Sequence, residues 1–413
     1  MSAAEASPGM PLESLRDELP MTREVMYFNT AMNGPTLDCV LKTVADETAI
    51  ESRIGLAYAV PGFGTSQEQG DREDAARAEI ASLLHCDVAD LAITPNTAQA
   101  MHRVLRSIDW QAGDELCISS LEHLSSFDAA QALAEQRGVV VRTVPAEGGD
   151  GDFLEHLTSA LSDRTRLVIV SEVTSPDGRR LPLREAADVA HQRGVLVVGD
   201  GAQSVGVYPV NVPDFGCDYY VGSGHKWLLG PRGTGFIWVS PDRIDEFRPD
   251  LVPDVSLWHD PRTPVPPTTA RRRLEFNTYN HAAVIGFGQA ARLANEIGLD
   301  AIEDRVNGLA ALIREEVSRW KGVTVLTPMA PEASAGITTL AFDGLSDDGI
   351  KEVVRRLAYE DRVIVKFQWL SAPARPGHSA MRISTAAFNT EQEVDVLLRT
   401  LKSKLTDAGV GAG

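Results

Sequence analysis

The chain has 413 residues, 43% of them hydrophobic and 23% charged, a composition typical of a globular protein that buries a large core. Its 58 acidic and 39 basic residues give a formal net charge of -19, which argues against nucleic acid and anionic membrane surfaces as partners. The four cysteines lack the close spacing of zinc sites and disulfide frameworks, so no metal site is predicted.

The N-terminal segment, residues 1–24, is polar and contains prolines, and we expect it to form a flexible arm. It has neither the cationic start nor the apolar core of a signal peptide. No apolar run in the chain approaches the roughly 20 residues that a membrane helix needs. We therefore expect a cytoplasmic protein, in keeping with the few, scattered cysteines.

Short apolar runs follow from Met26 onward and predict buried strands. Most of the runs are continuous rather than alternating, which is typical of a parallel sheet covered on both faces by helices. They lie at 91–94, 115–119, 138–144, 166–173, 194–200, 217–223 and 233–239.

Amphipathic segments fill the gaps between these runs and predict helices. Several of them end in Arg-Gly, a basic last turn followed by the glycine that terminates many helices. They lie at 71–85, 97–108, 125–138 and 183–194. Strands and helices in alternation predict a large α/β domain over residues 25–270.

A proline-rich stretch at residues 259–273 interrupts this alternation. Beyond it we expect two long helices, at 281–297 and 301–320, and then short strands and helices to about residue 405. The sequence therefore predicts a smaller C-terminal domain over residues 271–410.

An aspartate at the end of one predicted strand marks the first candidate site. In VLVVGDGAQSVG, residues 195–206, an apolar strand ends in Asp200, and Gln203 follows shortly after. Ligands of open α/β sheets bind at the carboxyl ends of parallel strands, and a carboxylate buried there needs a cationic partner. Taken alone, this segment also allows a turn or helix-capping role for Asp200.

A lysine after another predicted strand marks the second candidate site. In YYVGSGHKWLLG, residues 219–230, the strand is followed by a turn of small residues that contains Ser223, His225 and Lys226. Small residues let a backbone approach an anion closely. A lysine beside such a turn is suited to clamp a phosphate or, as an amine, to trap a carbonyl group.

Combined in this order, Asp200, Gln203 and the Ser-x-His-Lys turn resemble the class V aminotransferases and cysteine desulfurases. The resemblance covers nearly the whole chain, from Tyr27 to about Leu397. It implies a fold-type-I pyridoxal 5'-phosphate enzyme, with a large α/β domain around a mainly parallel sheet and a smaller α+β C-terminal domain. Lys226 would then form the Schiff base with the cofactor and move a proton at the substrate Cα. Asp200 would keep a proton on the pyridine nitrogen, and Gln203 would bind the 3-oxygen of the ring.

The resemblance also assigns residues around the ring and the phosphate of the cofactor. His123 would stack on the pyridine ring, with a solvated loop histidine as the alternative when its segment is considered alone. Asn96 and Thr97 would begin a helix whose N-terminal amides hold the phosphate. Ser223 and His225 would complete that phosphate site from the other side.

One segment of the resemblance implies a second subunit. RRLEFNTYNH resembles a family segment whose threonine reaches the phosphate of the neighbouring subunit, which makes Thr278 the candidate. A homodimer with shared active sites follows from this assignment. Asn277 stands where the family has glycine, and asparagine tolerates a positive φ better than most residues do.

Two residues are candidates for the substrate α-carboxylate. Arg382, in SAMRISTAAFNT, lies in a segment that resembles the closing signature of the family and would bind the carboxylate as a bidentate fork. A surface salt bridge is the alternative for this arginine. Asn33, in NTAMNGP, would touch the same carboxylate, with a plain turn role as an equal alternative.

The reaction is a separate question, because one pyridoxal phosphate site supports several chemistries. Cysteine desulfurases carry a nucleophilic cysteine shortly before the carboxylate-binding arginine, whereas residues 363–382 contain none and no cysteine follows Cys217. Ser175 stands where the family usually has asparagine. NTAMNGP and TPNTAQA are most similar to a branch that includes isopenicillin-N-epimerase-like proteins and carbon–sulfur β-lyases.

The sequence thus predicts an amino-acid substrate activated at Cα, with β-elimination of sulfur from a cysteine S-conjugate as the first choice. Transamination or decarboxylating deamination is the runner-up, and epimerisation comes third. Residues 363–378, with Lys366, Gln368 and Trp369 among them, are candidates for the substrate mouth, and plain loop surface is an equal alternative. A protein that keeps the fold only for binding is disfavoured, since it would not need Lys226.

Overall fold

The computed structural model describes residues 10–54, 64–248, 269–275, 279–370 and 379–411. Its strands are β1 (Met26–Tyr27), β2 (Leu91–Thr94), β3 (Glu115–Ser119), β4 (Val140–Val144), β5 (Thr165–Ser171), β6 (Leu196–Asp200), β7 (Tyr219–Ser223), β8 (Gly235–Val239), β9 (Val323–Val325), β10 (Ile337–Phe342), β11 (Val363–Ile364), β12 (Lys366–Trp369) and β13 (Ser379–Ser384). Its α-helices are α1 (Asp38–Ile54), α2 (Gly64–Leu83), α3 (Thr97–Ser107), α4 (Leu124–Arg137), α5 (Asp150–Ala160), α6 (Leu183–His191), α7 (Ala270–Leu274), α8 (His281–Ile297), α9 (Leu299–Val317), α10 (Asp347–Asp361) and α11 (Glu391–Asp407).

A seven-stranded sheet in the order β2-β8-β7-β6-β5-β3-β4 forms the centre of the larger part of the chain. All of its strands run in one direction except β8, which is antiparallel to both of its neighbours, β2 and β7. The prediction of a mainly parallel sheet within an α/β fold is therefore confirmed. Each strand of this sheet overlaps one of the predicted apolar runs.

Helices cover both faces of this sheet, and the side chains of its central strands divide between two cores. On β5, Leu167 and Ile169 share a core with α3 and α4. Val168 and Val170 face the opposite way and share a core with α5 and α6. Burial on both faces explains why β5 is a continuous apolar run rather than an alternating one.

The edge strand β4 departs from the prediction of strands buried on both faces. Val140 is 43% exposed, and Val144 is the one fully buried residue of the strand. Pairing on one side only, with β3, leaves the other edge of β4 without a neighbouring strand in the described part of the sheet. The three consecutive valines therefore predicted the strand correctly, but the strand is less buried than the prediction from them implied.

Residues 10–24, predicted to belong to a flexible arm, instead pack against the rest of the chain. Leu15 and Leu19 are buried within the core that covers one face of the large sheet. Arg16 Nη2 lies 2.8 Å from Glu393 Oε1 on α11 and also donates to the carbonyl oxygen of Thr22. The apolar residues of LESLRDELP, which have helical spacing, make these contacts. They are few and lie among polar residues, so the sequence did not indicate that the segment is packed.

The C-terminal part contains a four-stranded antiparallel sheet in the order β12-β13-β10-β9, packed against α9, α10 and α11. The short strands β1 and β11 pair in parallel and connect the N-terminal segment to this part.

Helix α8 was expected in the smaller domain, which was predicted to begin at residue 271. It packs instead against α1 and α2, so that a Cβ on Gly288 would lie 2.4 Å from Ala76 Cβ. Within the described ranges, no helix combines the length and apolar character that crossing a bilayer requires.

Candidate active site

A cavity of about 200 Å³ lies at the carboxyl ends of β5, β6 and β7. This is the edge of an open α/β sheet at which ligands are expected to bind. Among the residues predicted for the site, the cavity brings together Asn96, Thr97, His123, Asp200, Gln203, His225 and Lys226. These residues come from widely separated parts of the sequence, so it is the folding of the sheet that assembles them.

Asp200 ends β6 and is buried, with one hydrogen bond to its carboxylate from the backbone N–H of Ala202 at 2.8 Å. Burial raises the pKa of Asp200, and the positive charge of Lys226 acts in the opposite direction. Burying a carboxylate costs free energy unless a cation forms a hydrogen bond with it. A ligand with a positively charged N–H group would supply that bond. A protonated pyridine nitrogen is such a group.

Lys226 follows β7 in a turn that the backbone of the N-terminal segment approaches closely. The Gly34 N–H donates to the His225 carbonyl oxygen at 2.9 Å, and a Cβ on Gly34 would lie 2.0 Å from the Lys226 carbonyl oxygen. Burial lowers the pKa of Lys226 to about 8, with Asp200 opposing that shift and Arg382 adding to it. The amine is therefore partly neutral near physiological pH, the form that attacks a carbonyl carbon.

Gln203 is held by hydrogen bonds at both ends of its amide. Its Nε2 donates to the Ala31 carbonyl oxygen at 3.0 Å, and its Oε1 accepts from Trp227 Nε1 at 2.8 Å. These contacts fix the amide in the cavity wall, and Nε2 retains a second N–H for a ligand. Both partners lie next to residues that line the cavity, Trp227 beside Lys226 and Ala31 beside Met32.

His123 precedes α4 and caps its N-terminus. Its Nδ1 accepts from the backbone N–H of Ser125 at 3.2 Å and lies 2.8 Å from Ser125 Oγ. Desolvation at the cavity wall lowers the pKa of His123 to about 4, helped by the positive charges of Lys226, Lys366 and Arg382. The ring lines the cavity and stays neutral at physiological pH, as stacking on an electron-poor aromatic ring requires.

Glu122 is a buried acid that the sequence prediction missed. Both the backbone N–H and the hydroxyl of Ser171 donate to its carboxylate, the hydroxyl at 2.6 Å. Burial, together with the nearby charge of Asp200, raises the pKa of Glu122 to about 8, and the hydrogen bonds from Ser171 oppose this rise. The available signal was the position of Ser171 at the end of β5, because the carboxyl ends of parallel strands meet at one edge of the sheet.

The residues predicted to bind the cofactor phosphate fit an anion. Asn96 caps α3 by accepting from the Gln99 N–H at 2.8 Å, and the first-turn amides of α3 remain at a positive helix end. Thr97 Oγ1 and Ser223 Oγ are buried and have no hydrogen-bond partner among the described residues. Two orphaned hydroxyls beside a helix N-terminus are what a phosphate group would satisfy.

Arg382 lies on β13, is fully buried, and uses only part of its guanidinium. Its Nη1 donates to the carbonyl oxygen of Ser175 at 2.9 Å and to the hydroxyl at 3.0 Å. Its Nε and Nη2 have no partner in the described part of the chain. Since a buried guanidinium seeks a bidentate anion, these atoms fit a carboxylate.

Asn33, another predicted residue, is not brought into the cavity. Asn33 Nδ2 donates to the carbonyl oxygen of the next residue, Gly34, at 3.2 Å, and its own carbonyl oxygen accepts from Tyr27 Oη at 2.7 Å. Its side chain therefore takes part in a local turn, and Asn33 does not line the cavity. Thr278 lies outside the described residues.

All four cysteines of the chain fall within the described ranges, and none lines the cavity. Burial raises the pKa of each thiol, to about 12 for Cys39 and Cys86 and to about 11 for Cys117. Cys217 is also buried, and its pKa is raised as well. None of these thiols has the lowered pKa of a nucleophile.

Comparison with known proteins identifies the family of this chain. The family described as Aminotransferase class-V matches residues 62–397. An isopenicillin N epimerase from Amycolatopsis lactamdurans is 30% identical over 94% of this chain and 97% of that protein. A cysteine desulfurase from Enterobacter sp. (strain 638) is also 30% identical, over 95% of this chain and 98% of that protein.

Among solved structures, the cystine C–S lyase C-DES is similar along most of its length. Its complex with the reaction product cysteine persulfide matches with a TM-score of 0.82 and 25% identity, over 93% of this chain and 98% of that chain. A lysine-to-alanine mutant of C-DES with glycine covalently linked to the PLP cofactor matches with a TM-score of 0.83.

The fold and the arrangement of the cavity define a fold-type-I enzyme that depends on pyridoxal phosphate. The chain belongs to the class-V aminotransferase family, which its sequence matches over most of its length. The predictions of fold and cofactor are therefore confirmed.

Proposed function

We propose that this protein is a carbon–sulfur lyase that eliminates a sulfur leaving group from the Cβ of an L-cysteine S-conjugate. One observation carries the proposal: no thiol lies at the cavity, and every cysteine has a raised pKa. A desulfurase needs a thiolate that accepts the sulfur atom from its substrate. Without one, a C–S bond at this site breaks by expulsion of the sulfur itself.

The chain's own residues suit this elimination. Bound pyridoxal phosphate supplies an electron sink for the pair released at the substrate Cα. Lys226 Nζ takes the Cα proton, the Cα–H electrons form a Cα=Cβ double bond, and the Cβ–S electrons leave with the sulfur. The unsaturated amino acid that is released hydrolyses to pyruvate and ammonia. Arg382 holds the substrate α-carboxylate through Nε and Nη2, which fixes the position of Cα relative to Lys226.

Asp200 and His123 assist without moving the substrate proton. The Asp200 carboxylate would accept a hydrogen bond from the pyridine nitrogen of the bound cofactor and so favour its protonated form. The neutral ring of His123 would hold the cofactor ring without adding a positive charge beside it. The described similarity to the cystine C–S lyase C-DES supports the same chemistry.

The proposal is tested with the holoenzyme and a panel of S-substituted L-cysteines. Pyruvate and the expelled thiol are expected to appear in equal amounts, with no change in the amount of bound cofactor. A chain that retains its cofactor but releases no pyruvate from any member of a broad panel would contradict the lyase.

Epimerisation at Cα is the second candidate, favoured by the similarity to isopenicillin N epimerases from two organisms. It would exchange the Cα hydrogen with solvent deuterium while the substrate is not consumed. Transamination would instead convert the substrate to a keto acid and leave the cofactor in its amine form. Product analysis in deuterium oxide separates all three reactions in one experiment.

We also propose that the active enzyme is a homodimer in which Thr278 of each subunit reaches the cofactor phosphate of the other. The proposal rests on the match of this segment to the family. Size-exclusion chromatography with light scattering is expected to give twice the mass of the 44.6 kDa chain. A monomer with full activity would contradict it.

A further inference from the structure

Lys366 lies beside Arg382 on the same face of the four-stranded sheet in the C-terminal part. In the antiparallel pair β12–β13, Lys366 is directly opposite Arg382. Side chains at opposed positions project from the same face, with Cβ atoms about 5 Å apart. Because Arg382 contacts Ser175 in the cavity wall, this face of β12 is the one turned toward the active site.

The alternation along β12 supports this orientation. Phe367 and Trp369 form a T-shaped pair on the opposite face, where Lys351 Nζ on α10 lies 5.2 Å from the Phe367 ring centroid. Lys366 is therefore turned away from α10. The charge of Lys366 also acts on His123, which reaches the cavity from a different element.

Lys366 has no anionic partner in the part of the chain that the structure describes. Burial lowers its pKa to about 8, and the positive charges of Arg382 and Lys226 lower it as well. The acids of the site are engaged elsewhere, since Glu122 is bonded to Ser171 and Asp200 faces Lys226. A half-buried ammonium group among other cations is unfavourable unless an anion joins it.

A second polar group on this face also lacks a partner. Gln368, two residues along β12, is buried, and its Oε1 has no hydrogen-bond partner among the described residues. Its Nε2 donates to the Trp369 carbonyl oxygen at 2.7 Å. Lys366 and Gln368 thus extend the polar surface of the site beyond Arg382.

We infer that the substrate carries a second anionic group, close to its α-carboxylate in space, and that Lys366 binds it while Arg382 binds the α-carboxylate. The inference rests on the proposed function and narrows its substrate class to cysteine S-conjugates whose S-substituent bears a carboxylate or a similar anion. Since the two cationic residues are direct neighbours across the strands, the S-substituent that fits is short. Lys366 is in this view a specificity-determining residue, and Lys226 remains the group that moves the proton.

The test compares two ligands of nearly equal size, S-carboxymethyl-L-cysteine and its neutral amide S-carbamoylmethyl-L-cysteine. Binding to the holoenzyme is measured by calorimetry and by the change in cofactor absorbance, and pyruvate release is measured separately. We expect Lys366→Met to raise the dissociation constant of the carboxymethyl ligand by about 10- to 100-fold, the effect of losing one charged hydrogen bond. The same substitution is expected to change the constant of the amide by less than about threefold.

Three further variants make the comparison specific. Lys366→Arg keeps the charge and is expected to retain most of the preference for the carboxymethyl ligand. Lys351→Met removes a cation from the other face of the same sheet and is expected to leave both constants unchanged. Lys366→Gln repeats the neutralisation with a polar side chain if the methionine variant is poorly folded.

Several outcomes would overturn the inference. Equal weakening of both ligands by Lys366→Met would indicate a structural role, and no weakening of either would indicate no contact. Unchanged binding with a loss of turnover on both ligands would indicate that Lys366 is a proton-transfer base. If neither ligand yields pyruvate but the binding preference persists and depends on Lys366, the inference stands and the lyase proposal fails.

Discussion

Arg382 directs a single guanidinium nitrogen, Nη1, to both the carbonyl oxygen and the hydroxyl of Ser175, at 2.9 and 3.0 Å. Ser175 therefore occupies one end of the guanidinium and turns the other end, Nε and Nη2, toward the ligand. The hydroxyl of this short side chain thus supplies one of the two oxygen atoms of Ser175 that hold Arg382 in place.

Ser175→Ala should weaken substrate binding modestly, because the backbone carbonyl continues to hold Arg382 after the hydroxyl is lost. A hydrogen bond to a charged group contributes about 1.5–3 kcal/mol. Because Nη1 keeps its carbonyl partner, we expect a smaller loss, with KM rising about 2- to 10-fold and little change in kcat. Ser384→Ala on the same strand as Arg382 is the control, since Ser384 Oγ has no partner among the described residues. A Ser175→Ala variant with the KM of this control would show that the hydroxyl does not position Arg382.

Lys226→Ala should abolish both the visible absorbance of the holoenzyme and its covalent labelling. Borohydride reduction of the wild-type protein is expected to attach the cofactor to one peptide, which contains residue 226. Loss of the proton-transfer amine should lower kcat by on the order of 10²- to 10⁴-fold. Lys366→Ala is the matched control and should keep the label on residue 226. A label found on any other lysine of the wild type would contradict the assignment.

Capture of the cofactor by the apoprotein should depend on pH through the neutral amine of Lys226. Because burial lowers its pKa to about 8, we expect the rate of covalent loading to rise with pH and to level off above about pH 8. The Asp200 carboxylate favours the ammonium form and so raises this pKa. Asp200→Asn should therefore shift the midpoint to lower pH, measured by the growth of the cofactor absorbance band.

Asp177→Asn is the control for that shift. Asp177 is also buried, but the cation that acts on it is Arg179 rather than Lys226. The midpoint should stay where it is in the wild type. A midpoint that stays at the wild-type value in Asp200→Asn as well would mean that the carboxylate does not act on the amine.

Leu15→Ala should destabilise the folded protein, because Leu15 is only 4% exposed and belongs to the core that covers one face of the large sheet. Large-to-small substitutions at buried leucines cost about 2–5 kcal/mol of the free energy of unfolding. Leu41→Ala, at a leucine that is 50% exposed on α1, should cost less than about 0.5 kcal/mol. Denaturant unfolding of the two variants would distinguish a packed N-terminal segment from a flexible arm, for which both effects would be small.

The sequence predicted the strands of the large sheet well because burial on both faces leaves a continuous apolar run, as in β5 and β6. It could not predict that β8 runs against its neighbours. Strand direction depends on how the chain returns to the sheet, and the residues of GTGFIWV would fit either direction. The long apolar helix α8 was also located correctly, but its partners, α1 and α2, are distant in sequence and leave no local signal.

The sequence allowed us to predict the cavity residues that lie at strand ends and in tight turns. It did not allow us to predict the residues whose role depends on being buried by distant parts of the chain. Asp200 and Lys226 follow apolar strands and belong to a recognisable motif. Glu122 stands next to His123, but its hydrogen-bond partner Ser171 ends a different strand, so the residues around Glu122 in the sequence do not reveal its burial. Lys366 could not be distinguished from loop surface until the pairing of β12 with β13 placed it opposite Arg382.

The close approach of Gly34 to Lys226 bears on how the protein is handled in the laboratory. A recombinant fragment cut to the boundaries of the matched family region would begin at residue 62 and lack Gly34 together with Ala31, the partner of Gln203. Such a fragment would keep the reactive lysine and the aspartate but expose one wall of the cavity to bulk water. Truncations that remove residues 31–34 are therefore expected to affect catalysis.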